Sequence, residues 1–190
     1  MKKIIGICVL SFLQFQHLAA YTQLELDGAN TLASQGVISS QENPADYRLK
    51  DNITRKEFMK VVANITQDTI EDTCKNSFSD VENDWGCKYI EWALEKWFIA
   101  SNQTFRPNDN ITRAESMKLI LKAREIERVA DTGDWRMDDM STAYKVWIIP
   151  EIYGNFDIQA TRWWIFEVSA TDIWAYGSWN RVINPMNLVP

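Results

Sequence analysis

One ten-residue phrase occurs twice in the chain and constrains its fold more than any other feature. Residues 53–62 read Ile-Thr-Arg-Lys-Glu-Phe-Met-Lys-Val-Val and residues 111–120 read Ile-Thr-Arg-Ala-Glu-Ser-Met-Lys-Leu-Ile, with six positions identical. A weaker third copy starts at Ala160-Thr161-Arg162 and continues through Ile165, Phe166 and Val168. The preceding segments align as well. Gln35-Gly36-Val37-Ile38, Lys96-Trp97-Phe98-Ile99 and Val146-Trp147-Ile148-Ile149 each close a predicted helix ahead of a loop. Copies in one order with matching flanks are repeats, and a repeat of this size must bury its apolar face against its neighbours.

Each copy reads as helix, loop, helix. In the second, Asp84 is expected to cap a helix that buries Ile90, Ala93, Leu94 and Trp97, spaced i, i+3, i+4 and i+7. The loop over 100–110 holds the turn formers Pro107, Asn108 and Asp109. Thr112 then opens a helix with Met117, Ile120 and Leu121 on one face, matched in the first copy by Phe58, Val61, Val62 and Ile65. The copies are bounded at 27–70, 76–125 and 133–173. The stretch 124–135 reads as a linker, and no element is assigned to 174–190.

The repeated Thr-Arg-x-Glu carries a local explanation for two of its residues. Thr54 with Glu57, and Thr112 with Glu115, have the spacing of a capping box, in which each side chain satisfies a free backbone donor. Capping leaves the arginine unexplained, although Arg55, Arg113 and Arg162 occupy the first helical position in all three copies. A guanidinium fork beside a helix start suits a carboxylate or phosphate on a polymer, and a surface ion pair is the structural alternative. In the third copy Trp164 stands where the box glutamate should be.

The N-terminus reads as an export signal over residues 1–20. Lys2 and Lys3 precede the apolar run 4–13, and the small Ala19 and Ala20 mark a cleavage region; a buried core helix is the alternative. The run is too short for a bilayer anchor, no later segment spans a membrane, and Cys8 lies too early for a lipoprotein. Cleavage removes Lys2 and Lys3 but no acid, taking the formal charge from −6 to −8, which argues against nucleic acid. It also removes His17 and Cys8, leaving Cys74 and Cys87 as one expected disulfide. A mature chain without histidine has no Ser-His-Asp or Cys-His centre and no ordinary zinc site, while carboxylate chemistry stays open; no cofactor, metal or catalytic residue is assigned.

Several features meet in one family. Phe78-Ser79-Asp80-Val81, Trp85 and Tyr89-Ile90-Glu91 lead to Phe105-Arg106-Pro107 and then Ile111-Thr112-Arg113-Ala114-Glu115. That order resembles a bacterial S-layer homology repeat. The resemblance spans residues 29–172 and is closest in the second copy; the first lacks a Phe-x-Asp-Val start. It implies a mainly α fold of helix-loop-helix modules packed around a pseudo-threefold axis, with secondary cell-wall polysaccharide held in grooves between them. The implied role is anchoring at the cell wall or surface, without catalysis. The polysaccharide-binding residues it implies are Thr54, Arg55, Thr112, Arg113, Arg162 and Trp85, although the position of Trp85 also suits a core residue. Trp135, Trp163, Trp174 and Trp179 are further candidates for stacking on sugar.

The family has glycine where this chain has Trp97 and Trp147, as the first copy has Gly36. Glycine there lets a helix end with positive φ. One hypothesis is divergence, with the indoles filling space between repeats. The other is that UGA codons, read as glycine in some bacteria, stand behind both tryptophans; the nine Trp against seven Gly motivate it.

Three competing functions remain. Asp80, Glu82, Asp84 and Glu91 match EF-hand calcium positions, but Trp85 replaces the required glycine. Glu91 and Glu115 would serve a carboxylate wall glycosidase. A protein–protein scaffold, or a piece of a larger surface protein, would take other surface proteins as partners. The sequons at Asn52, Asn64, Asn102 and Asn110 read as turn and cap residues.

Overall fold

The computed structural model describes residues 23–152 and 154–182, so the expected signal peptide, with Cys8 and His17, lies outside the described residues. The fold is mainly α. The elements are α1 (Gln23–Ser34), α2 (Arg55–Thr66), α3 (Cys87–Glu95), α4 (Arg113–Ala123), α5 (Trp135–Lys145) and α6 (Arg162–Val182), with a 3-10 turn at Pro44–Tyr47. Among the described residues the only β pairing is in isolated bridges. The first copy is thus α1 and α2, the second α3 and α4, the third α5 and α6.

Both capping boxes form. Glu57 accepts from the Thr54 amide at 2.9 Å and Glu115 from the Thr112 amide at 3.0 Å, while each threonine hydroxyl takes the glutamate amide. Each cap is worth about 1 kcal/mol. The remaining free donors at these helix starts decide how the copies meet. The Arg55 amide donates to Asp109 O at 2.8 Å, that of Arg113 to Ile158 O at 3.0 Å, and that of Arg162 to Asp51 O at 2.8 Å. The next amides repeat the pattern, Lys56 to Pro107 O, Ala114 to Phe156 O and Trp163 to Leu49 O. Every second helix is therefore started by the loop of another copy.

One residue earlier the backbones close on themselves. Ile111 N donates to Ile53 O (3.2 Å), Ala160 N to Ile111 O (2.8 Å) and Ile53 N to Ala160 O (3.0 Å), a ring of hydrogen bonds through all three copies. Ile53, Ile111 and Ala160 are fully buried there. Helices pair between copies in the same cyclic order, α3 on α2, α5 on α4 and α1 on α6. At the last contact Gly28 lies so close to α6 that a Cβ would sit 3.0 Å from Glu167 N. The expected stripes are buried: Phe58, Val61, Val62 and Ile65 on α2, and Met117, Ile120 and Leu121 on α4.

Four expectations are corrected. Asp84 does not cap α3; the cap residue is Gly86, and Asp84 accepts from its amide at 2.8 Å and pairs with Lys56 at 2.8 Å. The linker 124–135 is a strap bound to α5, through Arg128 to Asp139, Thr132 to Asp138, and Val129 N to the Thr142 hydroxyl. Helix α6 continues past Asp172 to Val182, over residues given no element by periodicity. Trp97 does not join the buried stripe. It is 84% exposed and Trp147 is 71% exposed, so the indoles do not fill space between repeats. Both end their helices at φ 61° and 64°, as Gly36 does at φ 73°.

Candidate functional site

The arginines that capping could not explain reach across copies to the box position of the next. Arg162 pairs with Glu57. Arg55 approaches Glu115 at 3.5 Å, donates from Nε to Phe105 O at 3.0 Å and lies 4.7 Å from the Phe105 ring. Arg113 meets Trp164, which replaces the box glutamate, with its guanidinium 5.2 Å from a ring centroid. Each glutamate present therefore serves two purposes, capping its own helix and holding the arginine of another copy. Burial works to raise the Glu57 carboxyl, but the Thr54 amide and the Arg162 charge outweigh it and hold the group below the usual carboxylate range. Burial lowers the pKa of the Arg55 guanidinium, with the Glu115 charge opposing.

A cavity of about 210 Å³ opens above the Arg162–Glu57 pair. Arg162 and Phe166 of the third copy line it, with Glu57, Lys60 and Tyr47 of the first and Trp85 of the second. Trp85 is 51% exposed, which removes it from the core. Lys56, itself tied to Asp84, stands 5.4 Å from its ring. The cavity thus joins a guanidinium, an ammonium and a half-open indole face from different copies. Such a set suits a polar ligand with an apolar face and an acidic substituent.

The same residue types meet at the next junction, Arg55 of the first copy with Glu115 of the second, and Lys118 of the second copy with Trp135 of the third. Lys118 Nζ lies 4.7 Å from the Trp135 ring, and Trp135 is 36% exposed. Thr54 and Thr112 cap the helix starts at these junctions, each hydroxyl accepting from the glutamate amide of its box. Among the other tryptophans, Trp163 is half-buried and Trp174 is exposed on α6, apart from this arrangement; the side chain of Trp179 lies outside the described residues. Sequence reasoning missed Lys60 and Lys118 as site residues. The signal was present, because the lysine is identical in the two strongest copies.

Cys74 and Cys87 form the expected disulfide, with Cα atoms 5.5 Å apart. It closes the strap 67–77 onto α3, where Ser77 donates its amide and hydroxyl to the buried Glu91 at 2.8 and 2.6 Å. The carboxylates of the calcium alternative do not converge. Asp80 accepts the Phe105 and Arg106 amides at 2.8 and 2.7 Å, Asp84 holds Lys56, and Glu91 holds Ser77. The one His/Cys/Asp/Glu grouping of metal-binding closeness among the described residues is Cys74, Cys87 and Glu91, whose sulfurs are in the disulfide. All four sequon asparagines donate side-chain hydrogen bonds, Asn52 and Asn110 to Gln159 at 2.6 and 2.9 Å, Asn64 to Val37 O at 2.7 Å and Asn102 to Ala100 O at 3.4 Å.

Comparison with known proteins agrees with the motif. Residues 77–115 match the S-layer homology domain. A cellulosome-anchoring protein of Acetivibrio thermocellus is 37% identical over 83 residues, 39% of this chain and 18% of that protein. An exoglucanase of the same species is 28% identical over 139 residues, 65% of this chain and 13% of the enzyme. An amylopullulanase of Thermoanaerobacterium thermosulfurigenes is 27% identical over 139 residues, 65% of this chain and 7% of the enzyme. The chain spans less than a fifth of the length of each. The stretch with the best-preserved Phe-x-Asp-Val, Trp and Thr-Arg-x-Glu elements is thus the one matched, and this chain carries an S-layer homology domain at residues 77–115.

Proposed function

We propose that this chain attaches to the bacterial cell wall from outside the cell by holding wall polysaccharide, without catalysis, in grooves between three S-layer homology repeats set about a pseudo-threefold axis. The observation that carries the reading is the cavity in which Arg162, Lys60 and Trp85 arrive from different copies. A sugar ring stacks on an indole, while the cations meet an acidic substituent or ring hydroxyls. The cyclic hydrogen bonds through Ile53, Ile111 and Ala160 support the threefold arrangement. The cellulosome-anchoring relative supports attachment. The two relatives named as glycan-cleaving enzymes overlap this chain over 13% and 7% of their length, so their names do not favour turnover here. The carboxylates once paired for an acid–base role are committed elsewhere, Glu91 to Ser77 and Glu115 to Thr112 and Arg55. No helix among the described residues is long and apolar enough to cross a membrane.

The test is sedimentation of the oxidised chain with isolated wall sacculi, before and after chemical removal of their secondary polymer. Pelleting is expected only with the intact polymer, and Arg162→Ala should weaken it about tenfold. Pelleting with neither preparation, from a folded protein, would turn the search for a partner towards other surface proteins.

A further inference from the structure

Repeat symmetry makes each position comparable with two others, and at the groove one copy breaks the pattern in a consistent direction. Lys60 and Lys118 are the eighth residue of the repeated phrase, and the third copy has Glu167 there. Glu57 and Glu115 correspond to Trp164, whose ring lies 5.2 Å from the Arg113 guanidinium. Trp85 and Trp135 stand twelve residues before Trp97 and Trp147; twelve residues before Gly36 the sequence has Leu24. The backbones there are also close, with α1 packed on α6 at Gly28 against Glu167. Burial pushes the Glu167 carboxyl up.

We propose that the grooves are unequal: those built on Lys60 with Trp85 and on Lys118 with Trp135 take an acid-bearing sugar, and the one built on Glu167 does not. This rests on the polysaccharide reading. Two copies bring an ammonium and an indole face to the ligand; the third brings a carboxylate, which repels an anionic substituent, and the arginine reaching that junction, Arg113 of the second copy, faces the Trp164 ring. The chain therefore binds a wall polymer at two points, and the third junction serves to close the fold.

The test uses the oxidised chain and short fragments of wall polysaccharide, in native form and with their acid groups converted to neutral ones. Indole N–H resonances are followed, with those of Trp85 and Trp135 assigned through Trp85→Phe and Trp135→Phe. Both are expected to move, with saturation at two fragments per chain and the Trp164 resonance still. Lys60→Ala should remove the Trp85 response and Lys118→Ala the Trp135 response, and neutral fragments should bind about tenfold more weakly. Glu167→Lys should move the stoichiometry towards three. Saturation of the unaltered chain at three fragments overturns this inference alone. Absence of any indole response overturns the polysaccharide reading and this inference with it.

A separate observation concerns Trp97 and Trp147. Both adopt the left-handed conformation and make the same pair of terminal bonds as Gly36: Gly36 to Ala33 O with Val37 to Leu32 O, Trp97 to Leu94 O with Phe98 to Ala93 O, and Trp147 to Tyr144 O with Ile148 to Ala143 O. A tryptophan in that conformation is strained, and indoles exposed at 84% and 71% return little packing. We infer that positions 97 and 147 are glycine in the protein its own cells make, from UGA codons. Sequencing the gene and weighing the two peptides from native protein tests this. UGA codons with glycine masses are expected, and UGG codons or tryptophan masses overturn it.

Discussion

Replacing Asp172 with alanine will destabilise the fold by about 3–5 kcal/mol, because it leaves a buried guanidinium without its carboxylate. Arg124, at the end of α4, grips Asp172 of α6 through Nε at 2.9 and 3.1 Å and Nη2 at 2.7 Å. The side chains are only 7% and 2% exposed. Burial pushes the Asp172 carboxyl up, against the pull of Arg124, so the pair exists at the expense of desolvation. The double replacement Arg124→Met with Asp172→Leu should therefore recover most of the loss, since it removes both charges together. Urea denaturation of the two variants beside the unaltered chain checks this. A loss below about 1 kcal/mol in the single variant would mean that the pair is solvated and acts as a surface ion pair.

The second large effect is at the disulfide. Cys74 and Cys87 are separated by 13 residues, and in the chain-entropy model closing such a loop contributes about 3 kcal/mol. Cys74→Ala with Cys87→Ala should lower stability by that amount, and reduction of the unaltered chain should do the same. The strap 67–77 keeps other holds on α3, since Asp68 accepts from the Trp92 indole at 3.0 Å and pairs with Lys96 at 2.8 Å. The double variant should therefore still fold. Thermal unfolding with and without reductant measures the difference, and coincident curves would show that these polar holds alone fix the strap.

What the sequence disclosed were the features whose causes are local. A capping box joins residues three apart, so Thr54 with Glu57 and Thr112 with Glu115 could be placed from spacing alone. The buried stripes of α2 and α4 follow from periodicity in the same way. Asp84 was misread because its partner, Lys56, is 28 residues away and invisible to a spacing rule. The arginines were legible as unexplained residues but not as links, since Arg162 reaches Glu57 across 105 residues. Trp85 is half-exposed because it belongs to a junction between copies rather than to the interior of one. Lys60 and Lys118 could have been recognised by their identity between copies, had exposure been weighed alongside apolar pattern.

The closed set of bonds through Ile53, Ile111 and Ala160 gives this array a property that open stacks of repeats lack. An open stack has a first and a last unit, needs capping repeats and loses stability roughly one unit at a time. Here the third copy donates to the second, the second to the first and the first to the third, so no copy is terminal. Deleting any one leaves a donor and an acceptor without partners in the interior, where such groups are costly. The three copies therefore stand or fall together, and a chain shortened by one should gain nothing from the two that remain unless a second molecule supplies the missing place.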